Sequence, residues 1–110
     1  MITSYVTPQG NMLYLSLIGP LNGRGADDLV NEYYERHTPE VRRCVLDLGS
    51  ADAVNEEGLL VLNRLSLLAQ VDGVEFSLVA RGSVVEESVA DSARRFCVPV
   101  VDRSDVSLAG

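Results

Sequence analysis

Apolar residues along this chain switch repeatedly between alternation by twos and a spacing near 3.6, and no other feature restricts the fold as much. The first period lines one face of a strand and the second one side of a helix. Tyr5-Val6 and Met12 to Ile18 read as two strands, hairpinned through Pro8-Gln9-Gly10-Asn11. Gly19-Pro20-Leu21-Asn22-Gly23 breaks the second strand. Ala26, Leu29, Val30 and Tyr33 then fall at i, i+3, i+4 and i+7 and predict a helix that Pro39 ends, with Asp27 and Asp28 near its positive end. Cys44-Val45-Leu46-Asp47-Leu48 is a compact apolar run, suited to a central strand covered on both faces and parallel to a neighbour. After a loop from Gly49 to Val54, a second helix is predicted from Asn55 to about Val71, ended by Asp72-Gly73. Val74 to Val79 alternates like a strand. Ser83-Val84-Val85-Glu86 has the form of a capping box and opens a third helix, with Val85, Val89, Ala93 and Phe96 as its buried stripe. Val98-Pro99-Val100-Val101 is a short last strand that Pro99 confines to an edge or a bulge.

The order β-β-α-β-α-β-α-β predicts an α/β fold, a mixed and mostly parallel sheet of four to five strands with helices packed on it. Residues 1–101 are expected to form one domain and 102–110 a polar C-terminal tail. With 110 residues, 46% of them apolar, one core suffices without disulfide staples. The formal charge is 9 − 16 = −7, and no basic run is present, which argues against nucleic acid or an anionic membrane as partner. The most apolar window, Leu59 to Val71, is interrupted by Asn63, Arg64, Ser66 and Gln70. It is too short and polar for membrane insertion, which takes about 20 apolar residues. Met1 to Tyr5 lacks the basic and apolar regions of a secretory signal, so the expected compartment is cytoplasmic, where Cys44 and Cys97 stay reduced.

The residues give catalysis little to work with. His37 is the only histidine and falls at a polar helix end beside Arg36 and Thr38, where it offsets the negative end of the helix dipole. Nothing ties it to Cys44, Cys97 or a serine as the base of a nucleophile. One His and two separated Cys form no metal-ligand spacing, and Gly19, Gly23 and Gly25 lack the context of a phosphate loop. The adjacent pair Glu56-Glu57 is the best acidic site. Neighbouring helical residues point about 100° apart, so the two do not converge as acid and base. After the expected N-cap Asn55, both stabilise a helix start.

Asp47-Leu48-Gly49-Ser50 followed by Asn55-Glu56-Glu57-Gly58-Leu59 resembles the signature of the STAS domain, the family that includes bacterial anti-sigma factor antagonists. The likeness runs from about Val6 to Val101. It takes in the strand ending Gly19-Pro20-Leu21-Asn22, the strand ending Asp47-Leu48, a loop leading to a helix that opens on an Asp-Ser-Ser/Thr-Gly-Leu type motif, and the turn and strand from Gly73 to Ala80. From Asp47 to Gly58 is 58 − 47 = 11 positions, the family spacing without a gap. In antagonists of this family the first serine of that motif is the phosphoacceptor for an anti-sigma factor that is also a kinase. The unmodified antagonist binds the kinase, and phosphorylation breaks the complex. Here Asn55 replaces the usual Asp, Glu56 occupies the phosphoacceptor position and Glu57 replaces the next hydroxyl residue. Glu56 has no hydroxyl to accept a phosphoryl group, and it carries one negative charge against about −1.5 to −2 for phosphoserine.

The resemblance implies a non-enzymatic regulatory domain that binds a kinase-type anti-sigma factor or related protein through the start of its second helix. The contact residues it implies are Leu21, Asn22, Gly23, Asn55, Glu56, Glu57, Gly58 and Leu59, joined by the Arg81-Gly82-Ser83 loop. Leu60 is expected in the core more than Leu59. Ser50 and Ser66 lie off register as substitute phosphosites. Glu56 either imitates the phosphorylated state in part or attracts a basic partner. No cofactor or metal is implied, and the oligomeric state is left open. The alternative is a non-switching STAS scaffold or a subunit of a larger regulatory assembly. A small hydrolase built on Glu56 or Glu57 has no convergent polar set behind it.

Overall fold

A computed structural model describes residues 1–95, 98–102 and 106. In chain order the elements are β1 (Ile2–Val6), β2 (Met12–Leu17), β3 (Gly19–Leu21), α1 (Gly23–Arg36), β4 (Arg43–Asp47), β5 (Ala51–Val54), α2 (Glu56–Val71), β6 (Glu75–Val79) and α3 (Glu86–Arg95). β1 and β2 form the expected antiparallel hairpin, although β1 begins at Ile2. β4 is central as its apolar run requires, lying between β2 and β6 and parallel to both, in the sheet order β1-β2-β4-β6. The fold is therefore α/β with a mixed sheet. At the far edge the expected last strand is reduced to one parallel bridge, Leu78 to Val100. There the Leu78 N–H donates to the Pro99 carbonyl at 2.9 Å and the Val101 N–H to the Leu78 carbonyl at 2.8 Å. Pro99 has no N–H to offer a further strand, so an outer edge is where it fits.

Two segments without a strand period of their own are strands: the break after the second strand, which the family likeness places at a strand end, and part of the expected loop from Gly49 to Val54. Gly19 to Leu21 and Ala51 to Val54 pair in parallel as β3 and β5, a separate two-stranded sheet. The register shifts between Gly19 and Pro20. Each strand is too short to show a period, and each is held by a partner some thirty residues away.

Strand alternation separates two faces. Leu13, Leu15, Leu17, Cys44, Leu46, Phe76 and Leu78 point into one core with Ala26, Leu29 and Tyr33 of α1, Leu62, Leu65 and Ala69 of α2, and Val89 and Ala93 of α3. All three helices thus cover one face, as crossovers between parallel strands require. The opposite face carries a smaller cluster, Met12, Val45 and Val79, covered by Tyr14, Val101 and Val106. Val106 belongs to the stretch expected as a polar tail, and Asp102 of the same stretch pairs with Arg81 at 2.8 Å, so this part of the tail is tied to the domain.

Helix ends follow local chemistry, with two corrections. α1 begins at Gly23, so Asp27 and Asp28 lie beyond the first turn, where the dipole has largely faded. The helix stops at Arg36 with His37 as its extended C-cap, ahead of Pro39, because the residue before a proline disfavours helical geometry. α2 ends as expected at Asp72, with Gly73 in the left-handed region at φ +73°. The buried Tyr33 hydroxyl donates to the Asp72 carboxylate at 2.8 Å and ties the lower half of α1 to the end of α2. Of the predicted stripe of α3, Val85 is buried in the turn before the helix and Phe96 lies outside the described residues, as does Cys97.

Candidate functional site

The starts of α1 and α2 lie side by side, brought there by the β3–β5 pairing, which sets Leu21 opposite Val54. The next residue in each chain segment is an asparagine N-cap. The Asn22 side-chain oxygen accepts from the Gly25 N–H at 2.8 Å, and the Asn55 oxygen accepts from the Gly58 N–H at 2.9 Å. Asparagine is among the strongest caps because its carbonyl reaches an otherwise unpaired amide of the first turn. The Asn55 N–H in turn donates to the Leu21 carbonyl at 3.2 Å. Gly58 packs so closely beneath that carbonyl that an added Cβ would stand 2.1 Å from its oxygen. The second cap, Asn22 with Gly25, was not singled out from the sequence. Its signal is the spacing Asn-x-x-Gly, present at 22–25 and again at 55–58.

The expected contact residues divide by accessibility. Asn55, Glu56 and Glu57 are exposed on the first turn of α2, and Asn22, Gly23 and Leu59 are half-buried. Leu21 is fully buried and Gly58 is buried, so the Leu21 side chain offers a partner no surface, contrary to expectation. Leu59 and Leu60 exchange roles: Leu59 packs against the core and Leu60 is 66% exposed. The buried line of α2 runs Gly58, Leu62, Leu65, Ala69. Leu59 lies three residues before Leu62, on the same side, whereas Leu60 is offset by about 200°.

The two carboxylates also part company. Glu57 lies over the start of α1, where a Cβ on Gly23 would come within 2.6 Å of Glu57 Oε2. Glu56 instead lines a groove of about 400 Å³ between α2 and α3, with Leu59, Leu60 and Asn63 on its own helix. Asn63 closes the groove floor by accepting from the Ser92 hydroxyl at 3.2 Å.

The Arg81-Gly82-Ser83 loop is engaged within the domain. Arg81 donates to both oxygens of Asp102, at 3.0 and 2.8 Å, and this hydrogen-bonded pairing raises its pKa further above the ordinary guanidinium value. Ser83 is buried, its hydroxyl donating to the Ala51 carbonyl at 3.3 Å and accepting from the Val85 N–H at 3.2 Å. The capping box is displaced by one position, because the Glu86 carboxylate accepts from the Gly82 N–H at 3.1 Å and not from Ser83. Ser50 is exposed and Ser66 half-buried, both away from the first turn of α2.

For chemistry on a substrate the described residues offer little. No group of three or more His, Cys, Asp and Glu among them could hold a metal ion. His37 caps α1 with its ring 5.2 Å from that of Tyr33. Cys44 is buried, and burial pushes its thiol up to about 12. What the site presents is an exposed, capped helix start with an acidic edge and a groove beside it.

No protein-family profile matches the sequence, and no curated protein is significantly similar to it. Solved structures do match in three dimensions. The anti-sigma factor antagonist SpoIIAA in its unphosphorylated form is 9% identical, with a TM-score of 0.67 over 96% of this chain and 91% of that one. The SulP transporter STAS domain from Vibrio cholerae is 13% identical, at 0.66 over 96% and 82%. An antisigma-factor antagonist STAS domain from Rhodobacter sphaeroides is 18% identical, at 0.60 over 76% and 95%. Mglu is also similar, at 23% identity and 0.59, but the chain spans only 18% of that protein's length. Near full-length superposition on two such domains, and over 76% of the chain on a third, agrees with the signature around Asp47 and Gly58: the chain has the fold of a STAS domain.

Proposed function

We propose that this chain is a non-enzymatic, cytoplasmic regulatory domain of the anti-sigma factor antagonist type, which binds a kinase-type anti-sigma factor through the first turn of α2. The observation that supports it best is the exposed, Asn55-capped helix start with Glu56 at the position where the resemblance puts a phosphoacceptor serine. A phosphate there would add about −1.5 to −2 charges removable by a phosphatase, whereas Glu56 supplies one that is permanent. The contact surface on this reading comprises Asn22, Gly23, Asn55, Glu56, Glu57 and the exposed part of Leu59. Leu21 and Gly58 act beneath it by fixing the two helix starts. No described helix is long and apolar enough to cross a membrane.

Calorimetric titration of the full chain against the kinase-type anti-sigma factors of its organism, with and without ATP, is expected to yield a complex. No binder among them would remove the reading. If Glu56 imitates a phosphate, Glu56→Ser tightens that complex and takes up label from ATP. An unchanged affinity together with no label disposes of the imitation.

A second reading has one feature in its favour: Glu56 carries no hydroxyl, so the serine-type phosphoester switch is unavailable at this position. The domain then serves as a non-switching scaffold or subunit of a larger assembly. Light scattering of the chain mixed with proteins encoded beside it distinguishes the two, since a scaffold assembles stoichiometrically whether ATP is present or not.

A further inference from the structure

The groove between α2 and α3 has a charge pattern along its length. Both helices are crossovers between parallel strands and run in the same direction, so their N-termini lie at one end of the groove and their C-termini at the other. Glu56, exposed and lining the groove, marks the first end. At the other end Arg94 and Arg95 share the single carboxylate of Asp91, at 3.4 and 3.1 Å, which leaves a net positive charge. Glu56 itself makes no ion pair with any described residue. Between the ends Leu60 stands 66% exposed, and Leu67, two turns further along the same line of α2 and past the groove, is 56% exposed. α2 turns Arg64 and Gln70 outward as a soluble helix commonly does, yet these two leucines stand exposed as well.

From this geometry we infer that the α2–α3 groove is a docking site for a partner helix with a carboxylate in its first turn, an apolar side chain at its middle and an arginine or lysine in its last turn. The charges set its direction. The partner's basic end meets Glu56, its acidic end meets Arg95 with Arg94 beside it, and its middle side chain rests on Leu60. Glu56 to Asn63 is about 10 Å along α2, so two turns separate the partner's charges. That orientation is antiparallel to α2 and α3. It opposes the helix dipoles and places each of the partner's charges at the helix end that favours it. Glu57, lying over Gly23, stays outside the contact, so the two adjacent glutamates have different tasks.

The inference shares with the proposed function only the assumption that the start of α2 contacts a partner, and its test needs no anti-sigma factor. The probe is a stapled helical peptide of about 14 residues with Glu, Leu and Arg in the stated order, titrated into the full chain labelled with nitrogen-15. A second peptide has Glu and Arg exchanged. The expected result is saturable shifts of the Glu56, Leu60, Asn63 and Ser92 amides, with binding of the exchanged peptide weaker by about tenfold at low salt. Leu60→Ser, at an exposed position, lowers affinity by about tenfold with an unchanged melting temperature, and Glu35→Gln on α1 leaves affinity unaltered. Equal binding of both peptides, no saturable shift, or shifts centred on Asn22 and Gly23 overturns the inference. Concentration-dependent shifts of the same groove amides without peptide would mean that a second copy occupies it, and would overturn it too. If the peptide binds while no anti-sigma factor does, the groove stands and the anti-sigma reading falls.

Discussion

Gly58 lies directly beneath the carbonyl of Leu21, so close that a methyl group on its α carbon would stand 2.1 Å from the oxygen and 2.6 Å from the carbon. Two helix starts are locked together through one peptide group, which also accepts from the Asn55 N–H. Because the obstacle is backbone, it cannot rotate away. Gly58→Ala is expected to destabilise the fold by about 1–3 kcal/mol or more, as overpacking does elsewhere. Gly25→Ala belongs to the same class, its Cβ falling 2.5 Å from the Pro20 carbonyl oxygen. Gly23→Ala does not, since it meets only the flexible end of Glu57 and gains helix propensity of up to about 1 kcal/mol. Urea midpoints of the three variants check the order. Equal losses at positions 23 and 58 would refute it.

The twin caps give a second measurement. Asn22→Ala and Asn55→Ala each remove one acceptor from a first-turn amide, at an expected cost of about 1 kcal/mol, while the Gly replacements cost only a few tenths. Because β3 and β5 couple the two starts, the double variant is expected to depart from additivity. A double-mutant cycle in urea reads the coupling directly.

Tyr33→Phe removes the hydroxyl that donates to Asp72 while keeping the ring. The expected loss is about 1 kcal/mol, and local, because Asp72 is solvent-exposed and remains hydrated. Hydrogen exchange is expected to quicken at the end of α2 and leave the Asn55 end unchanged. Faster exchange at both ends would show that the bond supports the helix as a whole.

Cys44 supplies a dependence on pH. Burial raises its thiol from an ordinary value of 9.0 to about 12. In the unfolded chain the thiol ionises first, so the stability it contributes is complete below about pH 9 and is lost as pH rises from there towards 12. Cys44→Ala is expected to flatten the alkaline side of the stability curve in that window. The native thiol is also expected to resist alkylation at pH 8, reacting only at the rate of unfolding. Fast native labelling at Cys44, followed by mass spectrometry, would contradict this.

Much of the architecture was readable because period carries it. The hairpin, the apolar run of β4, the three helices and the cap residues Asn55 and Asp72-Gly73 all show in residue spacing over a few positions. β3 and β5 were not readable, since three- and four-residue strands have no measurable period and exist through pairing with each other. At the site, the sequence located the capped acidic turn at Asn55, Glu56 and Glu57. It could not tell that Leu21 would be sealed inside or that the Asn22-capped start of α1 would lie beside that turn.

The sequence by itself determined which residues share a helix face, where that helix starts and what charge its first turn carries, because each follows from fixed local geometry. Only the tertiary structure decided the direction in which each face points. Spacing settles the relative phase of Leu59, Leu60 and Leu62, but rotating the helix about its axis leaves every spacing unchanged. The close approach of Gly58 to Leu21 removes that freedom. It turns Leu60 towards solvent, sends Glu57 over Gly23 and leaves Glu56 at the mouth of the α2–α3 groove.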